Sequence, residues 1–439
     1  MCIRDRENLI EYLRNDGYDA VVLNFTDATD YMQRNAYVLV ELLQHVRSLI
    51  PAHHDLAVIG ASMGGLIARY ALAYMEREGI DHRTRLFMSF DSPHRGANIP
   101  LGIQYWVEFF SEDSAEAAFL KDRLDSPAAR QLLVYHATDP PGSTGEHDPL
   151  MDAFSTDLAA VGDYPEIPRK AAVANGSGYG AGQGFAAGDQ LILYEYSSLL
   201  VDIIGNVWAV PDGLPGMVFD GLMDLIWPLP DSDMQVVVSG TDPYDSAPGG
   251  TRASMAQMDS TEAPYGDIAA LHESHCFIPT VSALDLESAD LFYDIAGDPS
   301  IMDITPFDAI YYAATNEEHV TITPGNAAWI IYEIEQGVTG IGKEEPPQAP
   351  FLRQNYPNPF NPRTRIDFVM PSAGRANVTV FDVRGRRVAT ILDGVLDEGR
   401  HSVSWDGRDS QGRSAAAGLY FYRLEACGTV LTRKMVLMK

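Results

Sequence analysis

The chain has 439 residues, more than one hydrophobic core usually holds, so we expect two domains. It carries 61 Asp and Glu against 31 Lys and Arg, a formal net charge of −30 that argues against a nucleic-acid partner, because phosphates would be repelled. No run of about 18 apolar residues predicts a transmembrane helix. Cys2, Cys276 and Cys427 lie too far apart to suggest a disulfide framework or a zinc site, and we expect no metal or organic cofactor.

The charge is unevenly distributed along the chain. Residues 351–439 contain 14 basic and 8 acidic side chains, whereas residues 1–350 contain 17 and 53. The segment "GKEEPPQAP" at 342–350 is polar and rich in proline, as linkers are. We therefore predict a linker over 341–350 between a domain at 7–340 and a second domain at 351–439.

The first six residues, "MCIRDR", lack the shape of a signal peptide and resemble a translated sequencing adapter. The residues that follow are typical of the interior of a helix and not of its first turn. We interpret residues 1–6 as an artefact and expect the natural start, with any signal peptide, to lie upstream.

Residues 7–100 alternate between predicted strands and helices. The segments are the buried strand "DAVVLNF" (19–25), the amphipathic helix "NAYVLVELLQHVRSLI" (35–50), the strand "DLAVIG" (55–60), the helix "GGLIARYALAYMERE" (64–78) and the strand "TRLFMSFD" (84–91). "RKAAVANGSG" at 169–178 reads as a further strand. Apolar strands separated by helices predict a mostly parallel sheet that is covered on both faces.

Residues 178–275 interrupt this pattern. Alternation over 191–210 predicts a β-meander, and "MQVVVSG" (234–240) predicts a further strand. We interpret 178–275 as an insertion over the sheet and a candidate lid. The segments 276–284 and 316–323 return to the core before a helix at 327–336. Residues 351–439 then contain six short alternating strands separated by turn signals, which predicts an all-β sandwich of immunoglobulin-like size. The predicted strands are "RIDFVM", "NVTVFDV", "RRVATIL", "HSVSWDG", "GLYFYRLEA" and "KMVLMK".

The stretch Gly60-Ala61-Ser62-Met63-Gly64 fits G-x-S-x-G between a strand and a helix. In this context the serine lies on a strained turn that presents its Oγ, and small neighbours let strand and helix approach each other. The backbone N–H of Met63 is then a candidate oxyanion donor. The alternative is a glycine-rich turn whose serine only caps the helix; we favour Ser62 as a nucleophile.

A serine nucleophile needs a base, and we predict His319, which follows the last core segment ahead of the final helix. The alternative is that His319 is a solvated loop residue. We interpret His94 as shaping the loop after its strand. His272 and His275 are interpreted as structural residues or as part of the site entrance.

The acidic residue that would orient the histidine is the site residue that the sequence determines least. Asp91 closes a predicted strand next to the strand of Ser62, so its carboxylate should lie at the same edge of the sheet. Asp285 stands nearer the usual chain position, between serine and histidine, and Asp308 and Asp242 are further candidates. Each could instead cap a helix or turn. We favour Asp91 narrowly over Asp285.

These residues resemble an α/β-hydrolase of the lipase and esterase kind. "VIGASMGGLIARYAL" followed by "SFDSPHRGANIP" resembles the branch that includes the PGAP-type GPI-inositol deacylases, over roughly residues 7–335. The resemblance implies an α/β-hydrolase-type sheet and hydrolysis of a carboxylic ester through an acyl-enzyme. Two features depart from it. "HCFIP" places His275 where many relatives carry the acid, and the family's oxyanion loop follows an early strand that we expect to lie upstream of residue 1.

The C-terminal segment resembles the sorting domain of type IX secretion substrates. The resemblance rests on "NYPNPFNPRTRIDF", "WDGRD" and "RKMVLMK", and it covers almost all of 351–439. It implies that the type IX secretion machinery is a partner and that the protein is secreted or held at the outer-membrane surface. It also implies removal of the tail, leaving a mature form that ends near residue 350. The alternative is an ordinary β-sandwich used for adhesion.

Together these patterns predict a secreted serine esterase or lipase-like hydrolase that acts on an ester or lipid-like small molecule. The competing hypothesis is a non-catalytic cell-surface binding protein on a degenerate hydrolase fold. A long distance between His319 and Ser62 would favour the binding protein. A peptidase or thioesterase at the same site stays open.

Overall fold

The computed structural model describes residues 4–5, 9–51, 53–138, 148–225, 231–260, 266–336, 351–352, 355, 358–370, 372–397 and 399–438. Two compact units divide the chain. The first contains Met1–Arg6 and Val22–Trp329, and the second contains Glu7–Val21 and Ile330–Lys439. Within the described residues, no helix combines the length and apolar character needed to cross a bilayer.

The helices within the described ranges are α1 Leu9–Asn15, α2 Met32–Leu49, α3 Met63–Arg77, α4 Leu101–Phe109, α5 Ala115–Leu124, α6 Pro127–Leu132, α7 Pro149–Ala160, α8 Ser254–Asp259, α9 Thr280–Ala283 and α10 Pro324–Gln336. The strands are β1 Arg4–Asp5, β2 Leu56–Ala61, β3 Thr84–Phe90, β4 Arg169–Ser177, β5 Gln190–Leu193, β6 Glu195–Ser197, β7 Val201–Trp208, β8 Gly216–Leu225, β9 Ser232–Val238, β10 Gly249–Arg252, β11 Ala269–Ala270, β12 His275–Pro279, β13 Ala309–Ala313, β14 Thr321–Ile322, β15 Phe351–Leu352, β16 Thr364–Met370, β17 Gly374–Asp382, β18 Arg387–Leu396, β19 Gly399–Trp405, β20 Gly418–Ala426 and β21 Thr429–Leu437.

A four-stranded parallel sheet organises the first unit, in the order β13-β4-β3-β2. This confirms the parallel sheet predicted from the alternation of strands and helices. β3 and β4 are buried along most of their length, as expected for strands covered on both faces. α2 turns Met32, Ala36, Val40 and Leu43 into the core at helical spacing, and α3 is buried along most of its length. The strand β13 was not among the predicted elements.

The predicted buried strand at 19–25 is wrong. No strand forms there, and the side chains of Val21 and Val22 are 64% and 75% exposed. A strand needs a neighbour to complete its hydrogen bonds, and an apolar run does not specify one. Among the described residues β2 is the last strand on its side of the sheet, and residues 19–25 do not pair with it.

The β-meander expected within 178–275 is present as an antiparallel sheet in the order β11-β5-β7-β8-β9, with β6 also paired to β7. Buried Asp245 joins this sheet to the loop after β3, because its carboxylate accepts the Val210 N–H (2.7 Å) and the Asn98 side-chain amide (2.9 Å). Burial raises the pKa of Asp245 to about 6, against the lowering effect of the two hydrogen bonds.

The C-terminal part of the second unit contains two antiparallel sheets, β15-β16-β19 and β18-β17-β20-β21. The strands β16 to β21 match the six predicted segments, β15 was not predicted, and both sheets contribute side chains to one core. Trp405 lies fully buried in that core, with its ring centroid 5.6 Å from that of Phe360 and 5.2 Å from that of Tyr420, and its Nε1–H donates to the Arg408 carbonyl at 2.8 Å.

Two turns of this domain share one local design, D-x-x-G-R, at 382–386 and 409–413. In both, the aspartate Oδ1 accepts the backbone N–H groups two and four residues later, and Oδ2 accepts the arginine Nε–H. Gly385 and Gly412 adopt φ of 74° and 78°, which other residues rarely do. These turns are therefore determined by five consecutive residues.

Candidate active site

Ser62 occupies the tight turn between β2 and α3. Its backbone has φ 55° and ψ −132°, a conformation that costs steric strain in a residue other than glycine. A Cβ at position 60 would overlap the backbone of Gly64, and a Cβ at position 65 would overlap the side chain of Ser92. A Cβ at position 64 would meet open space. The close approach of strand and helix thus depends on Gly60 and Gly65, although the motif had suggested Gly60 and Gly64.

The side chains of Ser62, His319 and Asp91 form one hydrogen-bonded chain. His319 Nε2 lies 2.9 Å from Ser62 Oγ, and His319 Nδ1 lies 2.6 Å from Asp91 Oδ2. Ser62 is 7%, His319 8% and Asp91 0% exposed. The geometry is chemically consistent when Nδ1–H donates to the carboxylate and Nε2 accepts the Ser62 hydroxyl proton. The structure therefore brings together all three residues favoured from the sequence, in an arrangement able to activate a serine.

Asp91 is held from several directions where β3 ends. Its own N–H donates to the Val173 carbonyl at 2.6 Å, and its Oδ1 accepts the Asn175 backbone N–H at 3.0 Å. Its φ is 49°, a left-handed conformation that aspartate tolerates better than most residues. A Cβ at Gly250 would overlap Asp91 Oδ2, so β10 can pass this close only with glycine there.

The loop that carries His319 is fixed by β10. The His319 N–H donates to the Thr251 carbonyl at 2.9 Å, and the Thr251 N–H donates to the Glu317 carbonyl at 2.8 Å. β10 lies within the region 178–275 that we interpreted as an insertion and possible lid. Its residues Gly250 and Thr251 contact Asp91 and the loop of His319 directly, so this part of the region belongs to the site.

Two fully buried asparagines support the same loop. Asn175 Nδ2 donates to the carbonyls of Glu318 (2.7 Å) and Thr321 (3.0 Å), and its Oδ1 accepts from Asn326 Nδ2 at 3.1 Å. Asn326 Nδ2 also donates to the Thr321 carbonyl at 3.0 Å. Sequence reasoning missed both residues. The available signal was the polar residue at the carboxyl end of the apolar strand "AAVAN".

Asp285, the alternative acid, lies in a separate ionic cluster. Its carboxylate contacts Arg69 Nη1 at 3.3 Å and accepts from Arg95 Nε at 2.9 Å and from the Tyr164 hydroxyl at 2.7 Å. The pKa of Asp285 lies below its usual range. Burial by itself would raise this pKa, but His94, Arg69 and the other partners together lower it by more. Asp285 has no hydrogen bond to His319 and serves to fix these side chains.

The remaining candidates have structural partners. Asp308 Oδ2 accepts the Lys170 backbone N–H at 2.7 Å, and the Asp242 N–H donates to the Tyr135 hydroxyl at 2.8 Å. His272 packs on Phe185, and the centroids of the two rings are 4.7 Å apart. None of these three lies in the hydrogen-bonded chain of Ser62.

His94 is half-buried and His275 is fully buried, and both have structural partners, as the sequence interpretation allowed. His94 lies 2.7 Å from Ser89 Oγ and 3.2 Å from Arg69 Nη1, and desolvation followed by the Arg69 charge lowers its pKa to about 3. His275 lies 2.9 Å from Ser254 Oγ, and burial lowers its pKa to about 4. Both imidazoles are therefore neutral near pH 7.

A cavity of about 510 Å³ adjoins the cluster of Arg69, His94 and Asp285, and none of Ser62, Asp91 and His319 lines it. In the part of the chain that the structure describes, no group of three or more His, Cys, Asp or Glu side chains is arranged to hold a metal ion.

Two families match parts of the chain. Residues 20–115 match the family described as "Putative serine esterase (DUF676)", and residues 363–429 match the "FlgD Ig-like domain" family. The first match contains Ser62 and Asp91 and supports a hydrolase of the lipase and esterase kind. The second supports an Ig-like fold for the C-terminal strands. No curated protein matches the chain.

Three solved structures are similar over short parts of the chain. Dimeric latent PorU from Porphyromonas gingivalis is 21% identical over 23% of this chain and 10% of that chain, with a TM-score of 0.19. PorZ, a surface component of the type IX secretion system of the same organism, is 19% identical over 23% and 13%, with a TM-score of 0.16. FlgD from P. aeruginosa is 24% identical over 17% and 59%, with a TM-score of 0.15. The chain thus spans about a tenth of PorU and PorZ, and these similarities assign no function.

Replacing Asn175 tests its role in positioning His319. Asn175→Ala removes the amide donors that hold the carbonyls of residues 318 and 321 but keeps the backbone N–H that Asp91 accepts. We expect the reactivity of Ser62, measured as its rate of labelling by a fluorophosphonate, to fall about tenfold to a hundredfold, because small misplacements of reacting groups have effects of this size.

The matched control is Asn206→Ala, which removes a buried asparagine whose amide group bonds Tyr194 and Glu195 in the β-meander. It should cost comparable stability and leave the labelling rate within about twofold. Equal loss of labelling in both variants would show that Asn175 acts only through stability.

Proposed function

We propose that the chain is a serine hydrolase that cleaves carboxylic esters through an acyl-enzyme. The observation that carries the proposal is the chain of contacts from Asp91 through His319 to Ser62, with distances of 2.6 and 2.9 Å, at one edge of the parallel sheet. The esterase family match over residues 20–115 supports the same reading from sequence. An α/β-hydrolase-type fold for the first unit is part of this proposal.

In the first step, Ser62 Oγ attacks the carbonyl carbon of the ester while its proton passes to His319 Nε2. Asp91 accepts the hydrogen bond from Nδ1–H and stabilises the imidazolium that forms. The carbonyl oxygen becomes an oxyanion, for which the Met63 N–H at the positive end of α3 is the proposed donor. Collapse breaks the bond to the alcohol, which leaves with the proton from His319.

In the second step, water replaces the alcohol. His319 Nε2 takes a proton from the water, whose oxygen attacks the acyl carbon, and the tetrahedral intermediate collapses to a carboxylic acid and free Ser62. Each proton taken by His319 is returned to a leaving oxygen, so the step needs no further reactant. We propose an ester or lipid-like small molecule as the substrate.

The competing hypothesis was a non-catalytic binding protein, for which a wide separation of Ser62 and His319 would be the sign. The hydrogen-bond distance between them supports the hydrolase instead. For residues 351–439 we propose export through the type IX secretion machinery, to the medium or to the outer-membrane surface. The support for this is the resemblance of "NYPNPFNP", "WDGRD" and the basic end.

Labelling by a fluorescent fluorophosphonate tests whether Ser62 is activated. We expect the unaltered chain and Ser48→Ala to be labelled and Ser62→Ala to stay unlabelled, because the Ser62 hydroxyl contacts a histidine that is in turn held by a carboxylate, whereas exposed Ser48 donates to the His45 carbonyl. Labelling that persists in Ser62→Ala, or is absent from the unaltered chain, would refute the proposal.

A pair of aspartate variants tests which carboxylate orients His319. Asp91→Asn favours the wrong imidazole tautomer, and we expect the hydrolysis of a nitrophenyl ester to fall by about 10³- to 10⁴-fold in kcat. Asp285→Asn should lower kcat far less, since that carboxylate contacts Arg69, Arg95 and Tyr164. The opposite ranking of the two variants would make Asp285 the acid.

Mass spectrometry of material exported by a host with type IX secretion tests the role of the tail. We expect a product that ends near residue 350, and no export of a chain truncated after residue 350. An exported product that retains residues 351–439 would contradict removal of the tail, and export of the truncated chain would contradict its sorting role.

A further inference from the structure

The side chain of Arg252 is separated from that of His319 by one ring, that of Phe277. It ends β10, directly after Thr251, whose backbone holds the His319 loop. The guanidinium carbon of Arg252 lies 4.9 Å from the centroid of the Phe277 ring, and the Phe277 ring meets the His319 ring edge-on, with centroids 4.8 Å apart. Arg252 therefore contacts Phe277, and Phe277 contacts His319, the residue that lies beside Ser62.

Among the described residues, no ion pair accounts for the charge of Arg252. Within the described ranges, no carboxylate lies within 4.0 Å of its guanidinium, whereas Arg69 and Arg95 are both paired with Asp285. The side chain is exposed, yet protein atoms surround it closely enough for desolvation to lower the pKa of Arg252, and no acidic neighbour offsets this. A guanidinium keeps its charge even so.

Arg252 is one of few basic side chains in an acidic part of the chain. Residues 1–350 contain 53 acidic and 17 basic side chains. A surface of that charge repels anionic substrates, and a local cation at the site offsets the repulsion for a substrate bound there. The Phe277 face supports the guanidinium from one side, which leaves its N–H groups free at the edge of the plane.

We propose that Arg252 is a specificity-determining residue that binds an anionic group of the substrate, so that the preferred substrate is an ester bearing a carboxylate or a phosphate. This inference rests on the proposed esterase function and names its substrate class. Carboxylate and phosphate share the chemistry that matters here, because both present two oxygens to the fork of guanidinium N–H donors. Arg252 acts on binding, and Ser62, His319 and Asp91 act on the ester bond.

Two matched pairs of esters test the proposal on the full chain. The first pair is the nitrophenyl monoester of glutaric acid and the nitrophenyl ester of pentanoic acid; the second is lysophosphatidic acid and the monoacylglycerol with the same acyl chain. For each pair we measure the ratio of kcat/KM for the anionic ester to that for the neutral ester. The pair with the larger ratio identifies the carboxylate or the phosphate as the preferred group.

The variants are Arg252→Gln, which removes the charge, and Arg252→Lys, which keeps the charge without the fork. We expect Arg252→Gln to lower the ratio by about tenfold, mainly through KM of the anionic ester, since a hydrogen bond to a charged group has effects of this order. The neutral ester should change by less than about twofold. Arg252→Lys should give an intermediate ratio.

Arg47→Gln is the control for net charge, because Arg47 lies in the last turn of α2, which leads to the amino end of β2 and so to the sheet edge opposite Ser62. It should leave the ratio unchanged. A ratio that is the same in Arg252→Gln and the unaltered chain overturns the inference while hydrolysis of the neutral ester still supports the esterase.

Calorimetry separates failure of the inference from failure of the enzyme proposal. Binding of the anionic esters to Ser62→Ala is compared with binding to Ser62→Ala carrying Arg252→Gln. About tenfold weaker binding to the double variant supports the inference even if no ester is turned over. Equal affinity for both variants, or no measurable affinity for either, overturns it.

Discussion

The arrangement around Ser62 depends on Asp91, whose two carboxylate oxygens face different parts of the fold. Oδ1 accepts the backbone N–H of Asn175 in β4, and Oδ2 contacts His319. A carboxylate with no exposed surface is tolerated only when such hydrogen bonds replace its hydration. Because the sheet holds one oxygen in place, the other can hold the imidazole in one orientation.

The loop around His319 shows how much of the site is built from backbone. Thr251 contributes only its N–H and carbonyl, and Asn175 contributes amide bonds to the carbonyls of residues 318 and 321. β10 can approach because Gly249 and Gly250 leave room for Cys276 and Asp91. These contacts are short, directional and buried, so few alternative positions of the imidazole satisfy them.

The C-terminal strands are determined by local sequence to a greater extent than the site in the first unit. There, strand alternation and the two D-x-x-G-R turns are local, since each turn closes hydrogen bonds among five neighbouring residues. Local determinants of this kind are readable from sequence, which explains why all six predicted segments became strands. In the first unit, by contrast, residues 91, 175, 251 and 319 meet although long stretches of chain separate them.

The sequence by itself determined the elements whose signals are local: the turn at Ser62, the parallel strands β2 to β4, and the C-terminal sandwich. It also placed Asp91 and His319 at candidate positions, because the carboxyl ends of parallel strands share one edge of the sheet. Only the tertiary structure shows that Asp91 contacts His319 and that Asp285 contacts Arg69 and Arg95, since an apolar strand followed by an aspartate does not reveal which cation or ring that aspartate meets. Likewise the apolar run at 19–25 gave no information about a pairing partner, and Asn175, Gly250 and Arg252 carry no local motif. Their roles arise from contacts between distant segments, which form only when the chain is folded.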